Sequence, residues 1–312
     1  MQYFESINSA KLRGVYLIIG SFDGVHRGHR HLLEKMTQAA EEDSAPPVVL
    51  TFFPHPRSVL GKDPASPFRY LLPLEERLRR LREYPLEAVI VQPFTQAFSQ
   101  IAAADFLSTL QDRLGLRSLW CGPSFSIGKG RAGDIAYLTE QSVARGFSLY
   151  VVPPLSDAGG PISSNRIRRT LSKGDVSKTA DMLGRRFAVS GTVTHGAGRG
   201  RTMGFPTANL DLWPELAIPA YGVYATWAVY KGNRFPGATS IGVRPTFANG
   251  SAHEATVETH LLDFNGDLYG SVLKVEFAAR LRAEKRFPDK DSLRNQMALD
   301  LAQARRILQE ES

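Results

Sequence analysis

The hydrophobic pattern changes its period near residue 183, and that change limits the fold more than any other feature of the chain. Before it, short apolar runs alternate with stretches of helical spacing. Val15 to Gly20 is a brief apolar run that ends at glycine, as a buried parallel strand does. Leu32, Leu33, Met36, Ala39 and Ala40 then recur at helical spacing. Pro47 to Phe53 reads as a second strand, Leu71 to Leu81 as a basic amphipathic helix, Ala88 to Phe94 as a third strand and Asp105 to Leu114 as another helix. SLWCG and FSLYVVPP supply two more strands. Such alternation implies a parallel sheet covered on both faces. From Phe187 to Phe277 the pattern is instead short strand-like runs broken by Gly, Pro and Asn, which predicts an antiparallel barrel. Leu293, Met297, Leu301, Ala304 and Leu308 form one stripe, so a terminal helix is expected to pack on that barrel. Leu155 to Gly160 reads as a flexible loop. Leu171 to Gly184 reads as the connection between two domains, residues 1–183 and 184–312.

Composition agrees with two soluble domains. The chain has 312 residues, 43% hydrophobic and 22% charged, and single cores stop growing near about 250 residues. No apolar run approaches the roughly 20 residues of a membrane-spanning helix. Glu5 and Lys11 stand where a signal peptide would need an apolar stretch. The one cysteine, Cys121, excludes a disulfide framework and a Cys-based zinc site. The expectation is a cytoplasmic protein, monomer or weak homo-oligomer, with no membrane partner. The net charge of +7 and pI near 9.5 raise nucleic-acid binding. However, the basic residues are scattered, with Arg199, Arg201, Lys129 and Arg166 beside glycines or helix starts. A solvated basic surface and a pocket for phosphorylated anions account for them, so no nucleic acid is expected.

Two constellations carry chemistry. In the first, Gly20 to His29 (GSFDGVHRGH) follows the first strand and opens the first helix. Ligands of open parallel sheets bind outside the carboxyl ends of strands, and a helix N-terminus offers N–H groups to phosphate. Gly24 and Gly28 allow close backbone approach. His26 and His29, three apart, can face one phosphate and stabilise charge on it. A metal cluster of His26, His29 and His31 lacks cysteine or carboxylate companions. Ile162 to Arg168 (ISSNRIR) opens a later helix with Ser163 or Ser164 as cap. With Arg166, Arg168 and Arg169 it has the makings of an anion site.

The second constellation runs from Gly191 to Asn209. It is no P-loop, because Gly196 and Gly200 are one residue too close and Arg201 replaces the required Lys. Either it is a flexible hairpin loop, or its amides cradle phosphate with Thr207 and Asn209 as hard ligands for Mg²⁺. Alternation places Glu258 on the strand face opposite Val257 and Thr259. There it is either a surface carboxylate or a general base for an alcohol.

GSFDGVHRGH with ISSNRIR resembles the nucleotidylyltransferase superfamily. TFFPHP (Thr51 to Pro56) narrows the resemblance to the adenylyltransferase module of the bacterial bifunctional riboflavin kinase/FAD synthetases. GRTMGFPTANL, YGVYA, SIGVRPTF, ETHLLDFNGDLYG and LRAEKRF resemble the riboflavin kinase module of the same family. The resemblance covers nearly the whole chain in the family's domain order. It implies a Rossmann-like nucleotidylyltransferase domain before a β-barrel with a terminal helix, and conversion of riboflavin to FMN and of FMN to FAD with ATP and Mg²⁺. It also implies that Gly20, Phe22, Asp23, Gly28, Ser164 and Arg168 bind nucleotide around His26 and His29. Gly196, Gly200, Arg201, Thr207 and Asn209 would bind it in the kinase, with Glu258 as base. Pro54, His55, Pro56, Phe125 and Arg282 would bind flavin. Ser124, Ile127 and Asn165 depart from the family pattern. The expectation at Ile127 is that restoring an aromatic improves a flavin's seat. Two alternatives stand beside the bifunctional enzyme: a kinase with a weakened or lost adenylyltransferase, and a flavin- or nucleotide-sensing binding protein.

Overall fold

The computed structural model describes residues 1–61, 67–196, 204–243 and 255–310. It divides into two compact units, 1–164 and 165–312.

The first unit runs β1 (Gln2–Phe4), β2 (Tyr16–Ile19), α1 (Arg27–Glu42), β3 (Pro47–Phe52), α2 (Pro56–Leu60), α3 (Leu74–Leu81), β4 (Ala88–Gln92), α4 (Ala103–Leu114), β5 (Ser118–Cys121), α5 (Ile135–Arg145) and β6 (Ser148–Val151). A small hairpin of β7 (Ser156–Asp157) and β8 (Gly160–Pro161) follows. The six-stranded sheet has the order β1-β4-β3-β2-β5-β6, with every pair parallel. β2, β3, β4 and β5 are buried on both sides, so their apolar residues run nearly without interruption. One face packs Leu17, Leu50 and Ile90 against Phe106, Leu107 and Leu110 of α4. The other packs Ile18, Val49 and Val89 against Leu33 and Met36 of α1. The strand order reverses between β2 and β5, which makes the carboxyl ends of these two strands the natural ligand crevice.

Three local expectations are corrected. The helix expected from Leu71 begins at Leu74, because Pro73 disfavours helical backbone at the residue before it. The loop expected at Leu155 to Gly160 is largely the β7–β8 hairpin. β1 and α5 carry too weak a pattern to be read from sequence. β1 is three half-exposed residues, and α5 is set by its ends, an Asp134 cap on the Tyr137 amide and a left-handed Gly146.

The second unit contains α6 (Ser164–Leu171, its first residue still in the first unit), α7 (Val176–Leu183), β9 (Ala188–Thr194), β10 (Ala208–Asp211), β11 (Gly222–Tyr230), β12 (Asn233–Val243), β13 (Ala255–Leu261), β14 (Val272–Ala283) and α8 (Lys290–Glu310). β9 to β14 close an antiparallel barrel in the order β10-β13-β12-β11-β14-β9. Inside it, Thr226, Thr239 and Thr259 are wholly buried and linked through their hydroxyls at 2.8 and 2.9 Å. α8 lies on the outer face, with Ala304 and Leu308 against Ala225, Ala238 and Ala278, small residues that permit a close approach. Asp289 caps its start by accepting from the Ser292 amide at 2.7 Å. The stretch read as a connection is bonded to the barrel. Arg280 donates to the Lys173 carbonyl at 3.1 Å, Ala220 N–H to Leu171 at 3.2 Å, and the Ser177 hydroxyl to Ala278 at 3.4 Å.

Candidate active sites

In the first unit, the chain leaves β2 through a tight loop in which Phe22, Gly24 and Val25 all have positive φ (48°, 89° and 37°). For Phe22 and the β-branched Val25 this is strained backbone, held by burial of both side chains. The buried Asp23 carboxylate accepts the amides of Leu71, at 3.0 Å to each oxygen, and of Leu72, at 3.2 Å. The Ser164 hydroxyl donates to the Asp23 carbonyl at 2.8 Å, which ties the start of α6 to this loop. His26 is the N-cap of α1, its Nδ1 accepting from the His29 amide at 3.2 Å. An accepting Nδ1 puts the neutral ring's proton on Nε2, a donor suited to a phosphate oxygen. The His26 and His29 rings stack at 3.6 Å, and Phe22 lies 5.0 Å from His29. Gly28 leaves little space: a Cβ there would lie 3.0 Å from the Ile162 carbonyl oxygen and 3.2 Å from the His26 ring, a tight fit that its neighbours would have to yield to. Gly20 continues the sheet, its N–H donating to Leu50 at 3.0 Å.

The neighbouring strand end carries Pro54, His55 and Pro56. His55 caps α2 through Nδ1, its N–H donates to the Tyr70 hydroxyl at 2.8 Å, and its ring stacks on Phe68 at 4.1 Å. Across the switch point, Phe125 follows β5 in a turn closed by its amide on Gly122 and packs half-buried against the core. Ile127 overturns the expectation attached to it. It is 6% exposed and belongs to the α4-side core, so its side chain offers no face to a ligand. The structure thus gathers Gly20, Phe22, Asp23, His26, Gly28, His29 and Ser164 at one strand end. Arg168 lies on α6 in the second unit, where its guanidinium donates to Asn165 at 3.1 Å.

Sequence reasoning missed Arg77, which it took as part of a basic helix face. This side chain is wholly buried and donates to the carbonyls of Ser21 and Phe52. Its signal was available, since Arg77 falls on the same helical stripe as Leu74, Leu78 and Leu81.

On the barrel, Asn209 of β10, Glu258 of β13 and Ser240 of β12 stand side by side in register. The same row continues through Val223 of β11 to Arg282 of β14. Val257, Thr259 and Leu261 fill the interior, so Glu258 belongs to the half-buried outer face, as its alternation predicts. The Thr207 hydroxyl lies 3.4 Å from Glu258 Oε2. A Cβ on Gly196 would sit 2.2 Å from the Asn209 side-chain Nδ2, so a larger residue there would require the Asn209 side chain to move. His195 beside it stacks on Tyr269 at 3.9 Å. Arg199, Gly200 and Arg201 lie outside the described residues. The Arg282 guanidinium is held by the buried Asp300 of α8, with Nη2 to Oδ2 at 2.8 Å. Thr207, Asn209 and Glu258 together present hard oxygen donors, the type Mg²⁺ prefers.

Both parts of the chain match known families. The family model described as FAD synthetase matches residues 8–166. The model described as riboflavin kinase matches residues 183–308. The bifunctional riboflavin kinase/FMN adenylyltransferase of Escherichia coli (strain K12) is 37% identical over 303 residues, 96% of this chain and 95% of that protein. The protein of the same description from Bacillus subtilis (strain 168) is 33% identical over 288 residues, 92% and 90% of the two chains. A solved structure described as a macrolide-efflux protein from Streptococcus pneumoniae aligns with a TM-score of 0.88 at 30% identity, covering 97% of this chain and 98% of that one. Among the described residues no helix is long and apolar enough to cross a membrane. With two module matches in order and relatives of this identity over nearly their full length, the chain belongs to the bifunctional riboflavin kinase/FMN adenylyltransferase family.

Proposed function

We propose that the chain performs two consecutive ATP-dependent transfers. The first moves the ATP γ-phosphoryl group to the 5′-hydroxyl of riboflavin, giving FMN and ADP. In the second, a phosphate oxygen of FMN attacks the ATP α-phosphorus, giving FAD and expelling pyrophosphate. The observation that carries this reading is the match of both family models to one chain, the FAD synthetase model ahead of the riboflavin kinase model. Phosphorylation is assigned to residues 184–312 and adenylyl transfer to 1–183.

In the kinase, Glu258 accepts the proton of the riboflavin hydroxyl as the bond to phosphorus forms. The oxygens of Thr207 and Asn209 beside it suit Mg²⁺ and nucleotide phosphate. Bound there, Mg²⁺ would neutralise phosphate charge. Gly196 lies close against the Asn209 side chain, which supports its assignment to the nucleotide. Arg282, fixed by Asp300, is assigned to the flavin. In the adenylyltransferase, the stacked His26 and His29 at the start of α1 donate to ATP phosphate oxygens, where charge develops as pyrophosphate leaves. Ser164 and Arg168 complete the nucleotide side, and Pro54, His55, Pro56 and Phe125 the flavin side. The chemistry in both is positioning and charge stabilisation. A single buried thiol, Cys121, suits a reducing cytoplasm, and the protein is assigned as a monomer or weak homo-oligomer. The test is incubation with riboflavin, ATP and Mg²⁺, then separation of the flavins. FMN followed by FAD is expected. FMN alone at saturating substrates means a kinase without adenylyl transfer, and neither product means a binding protein.

A further inference from the structure

Arg77 of α3 is wholly buried beneath the strand ends of the first unit. Its Nη1 donates to the Ser21 carbonyl at 2.9 Å, the Phe52 carbonyl at 3.0 Å and the Thr51 hydroxyl at 3.2 Å. Thr51 in turn donates to Ser21 at 3.1 Å. The location explains the need. The sheet bonds between β2 and β3 run out where Gly20 N–H meets Leu50, and Phe53 N–H already turns to Gln92 of β4. Past that point the two strands part. The Ser21 and Phe52 carbonyls then face the gap, and Arg77 bridges it. The same helix is tied to the loop a second time, because Asp23 takes the Leu71 and Leu72 amides just ahead of it.

Arg77 uses only part of its donor set. Its Nε and Nη2 are buried with no hydrogen-bond partner among the described residues. Burial pushes the guanidinium below its ordinary value, which the Asp23 carboxylate opposes. A buried cation with unmet donors is a costly way to satisfy two carbonyls, although an apolar side chain in its place would leave them without this donor. What the cation does supply is a fixed distance between two backbone loops.

We propose that Arg77 is a positioning residue for adenylyl transfer. It sets the spacing between the loop after β2, which carries His26 and His29, and the loop after β3, which carries His55, and thereby the placement of ATP against FMN. The proposal rests on the assignment of these loops to nucleotide and flavin made above.

The test is full-length Arg77→Met and Arg77→Lys, with steady-state conversion of FMN to FAD, riboflavin phosphorylation in the same preparations, and thermal melting of each. In Arg77→Met the KM values for FMN and for ATP in adenylyl transfer should both rise about tenfold, below the roughly hundredfold that a 1 Å misplacement can cost. Melting should fall by only a few degrees, the cost of leaving the Ser21 and Phe52 carbonyls without this donor, and phosphorylation should stay within about twofold, since it belongs to the other matched module. Arg77→Lys, which keeps a cation able to reach the carbonyls, should recover part of both KM values. Unchanged KM values overturn the proposal. So does a loss of maximal rate alone that follows a lowered melting temperature, which would make Arg77 a structural plug. His29→Ala serves as the control for the underlying assignment. If it leaves FAD formation intact, the loop assignment fails. If it abolishes FAD formation while Arg77→Met keeps normal KM values, only the role of Arg77 fails.

Discussion

Glu258 shows how far a single residue can be read and where reading stops. The alternation of β13 fixed its face, and the structure adds its neighbours, Asn209 in register and Thr207 at 3.4 Å. Glu258→Gln keeps the size and removes the base, so FMN formation should slow by about 10² to 10⁴ with flavin binding retained. FAD formation from supplied FMN should be unchanged, and an assay of both steps on one preparation checks it. His29→Ala should give the mirror image. Adenylyl transfer should lose roughly 3 kcal/mol or more of transition-state stabilisation while phosphorylation continues. Loss of both activities in a folded variant would contradict the separation of sites. Cys121 offers a pH-linked prediction. Burial lifts its thiol from 9.0 to about 11, so the folded state resists its ionisation. Its contribution is therefore complete below pH 9 and disappears as pH rises towards 11. The stability advantage of the parent over Cys121→Ala should shrink by about 2 kcal/mol across that window, measured by denaturant unfolding. Arg77 was missed although its burial was legible from the stripe of Leu74, Leu78 and Leu81; what the sequence does not carry is the pair of carbonyls it bridges.

At the scale of elements, periodicity carried the most where burial was one-sided or complete. The barrel strand Gly222–Tyr230 and the stripe of α8 follow directly from it. It failed where the geometry is set by one bond or one ring, as at Pro73, at the three-residue β1 and at β10, whose Ala208–Asp211 was hidden behind a Gly-rich loop. The segment after β5 belongs to this second group. Ile127 pairs with Gly133 through 2.9 and 3.0 Å backbone bonds, and a Cβ on Gly133 would stand 2.7 Å from its Cγ1. Gly128, at φ +75°, lies so near Ala103 that a Cβ would fall 2.5 Å from the Ala103 nitrogen. The Ile127 side chain is thus buried and closely packed. Ile127→Phe should therefore destabilise the first unit by about 1–3 kcal/mol through overpacking, rather than improve a flavin's seat. A lower melting temperature with no fall in KM for FMN is the expected result, and an improved KM would restore the stacking role.

For the whole molecule, the parallel sheet and the barrel lie on either side of the change in hydrophobic period, and the segment between them belongs to the barrel's unit. Leu171 to Gly184 pattern as a connector, yet the chain from Asn165 onward clusters with the barrel. Val176, Met182 and Leu183 of α7 are buried, and the hydrogen bonds of Leu171, Lys173 and Ser177 reach barrel residues. A chain cut at 184 would expose the surface these side chains cover, at about 1.5–3 kcal/mol for each large one. That sum is comparable with the whole stability of a typical domain. Two fragments separate the consequences. Residues 165–312 should fold and convert riboflavin to FMN without forming FAD, because they retain the barrel, Glu258 and the covering helices but lack His26 and His29. Residues 184–312 hold the same kinase motifs and should melt well below the longer fragment or aggregate, with activity lost in step with the folded fraction. Equal melting temperatures would show that α6 and α7 are mere connectors. FAD formed by either fragment would put adenylyl transfer in the barrel and reverse the assignment of both sites.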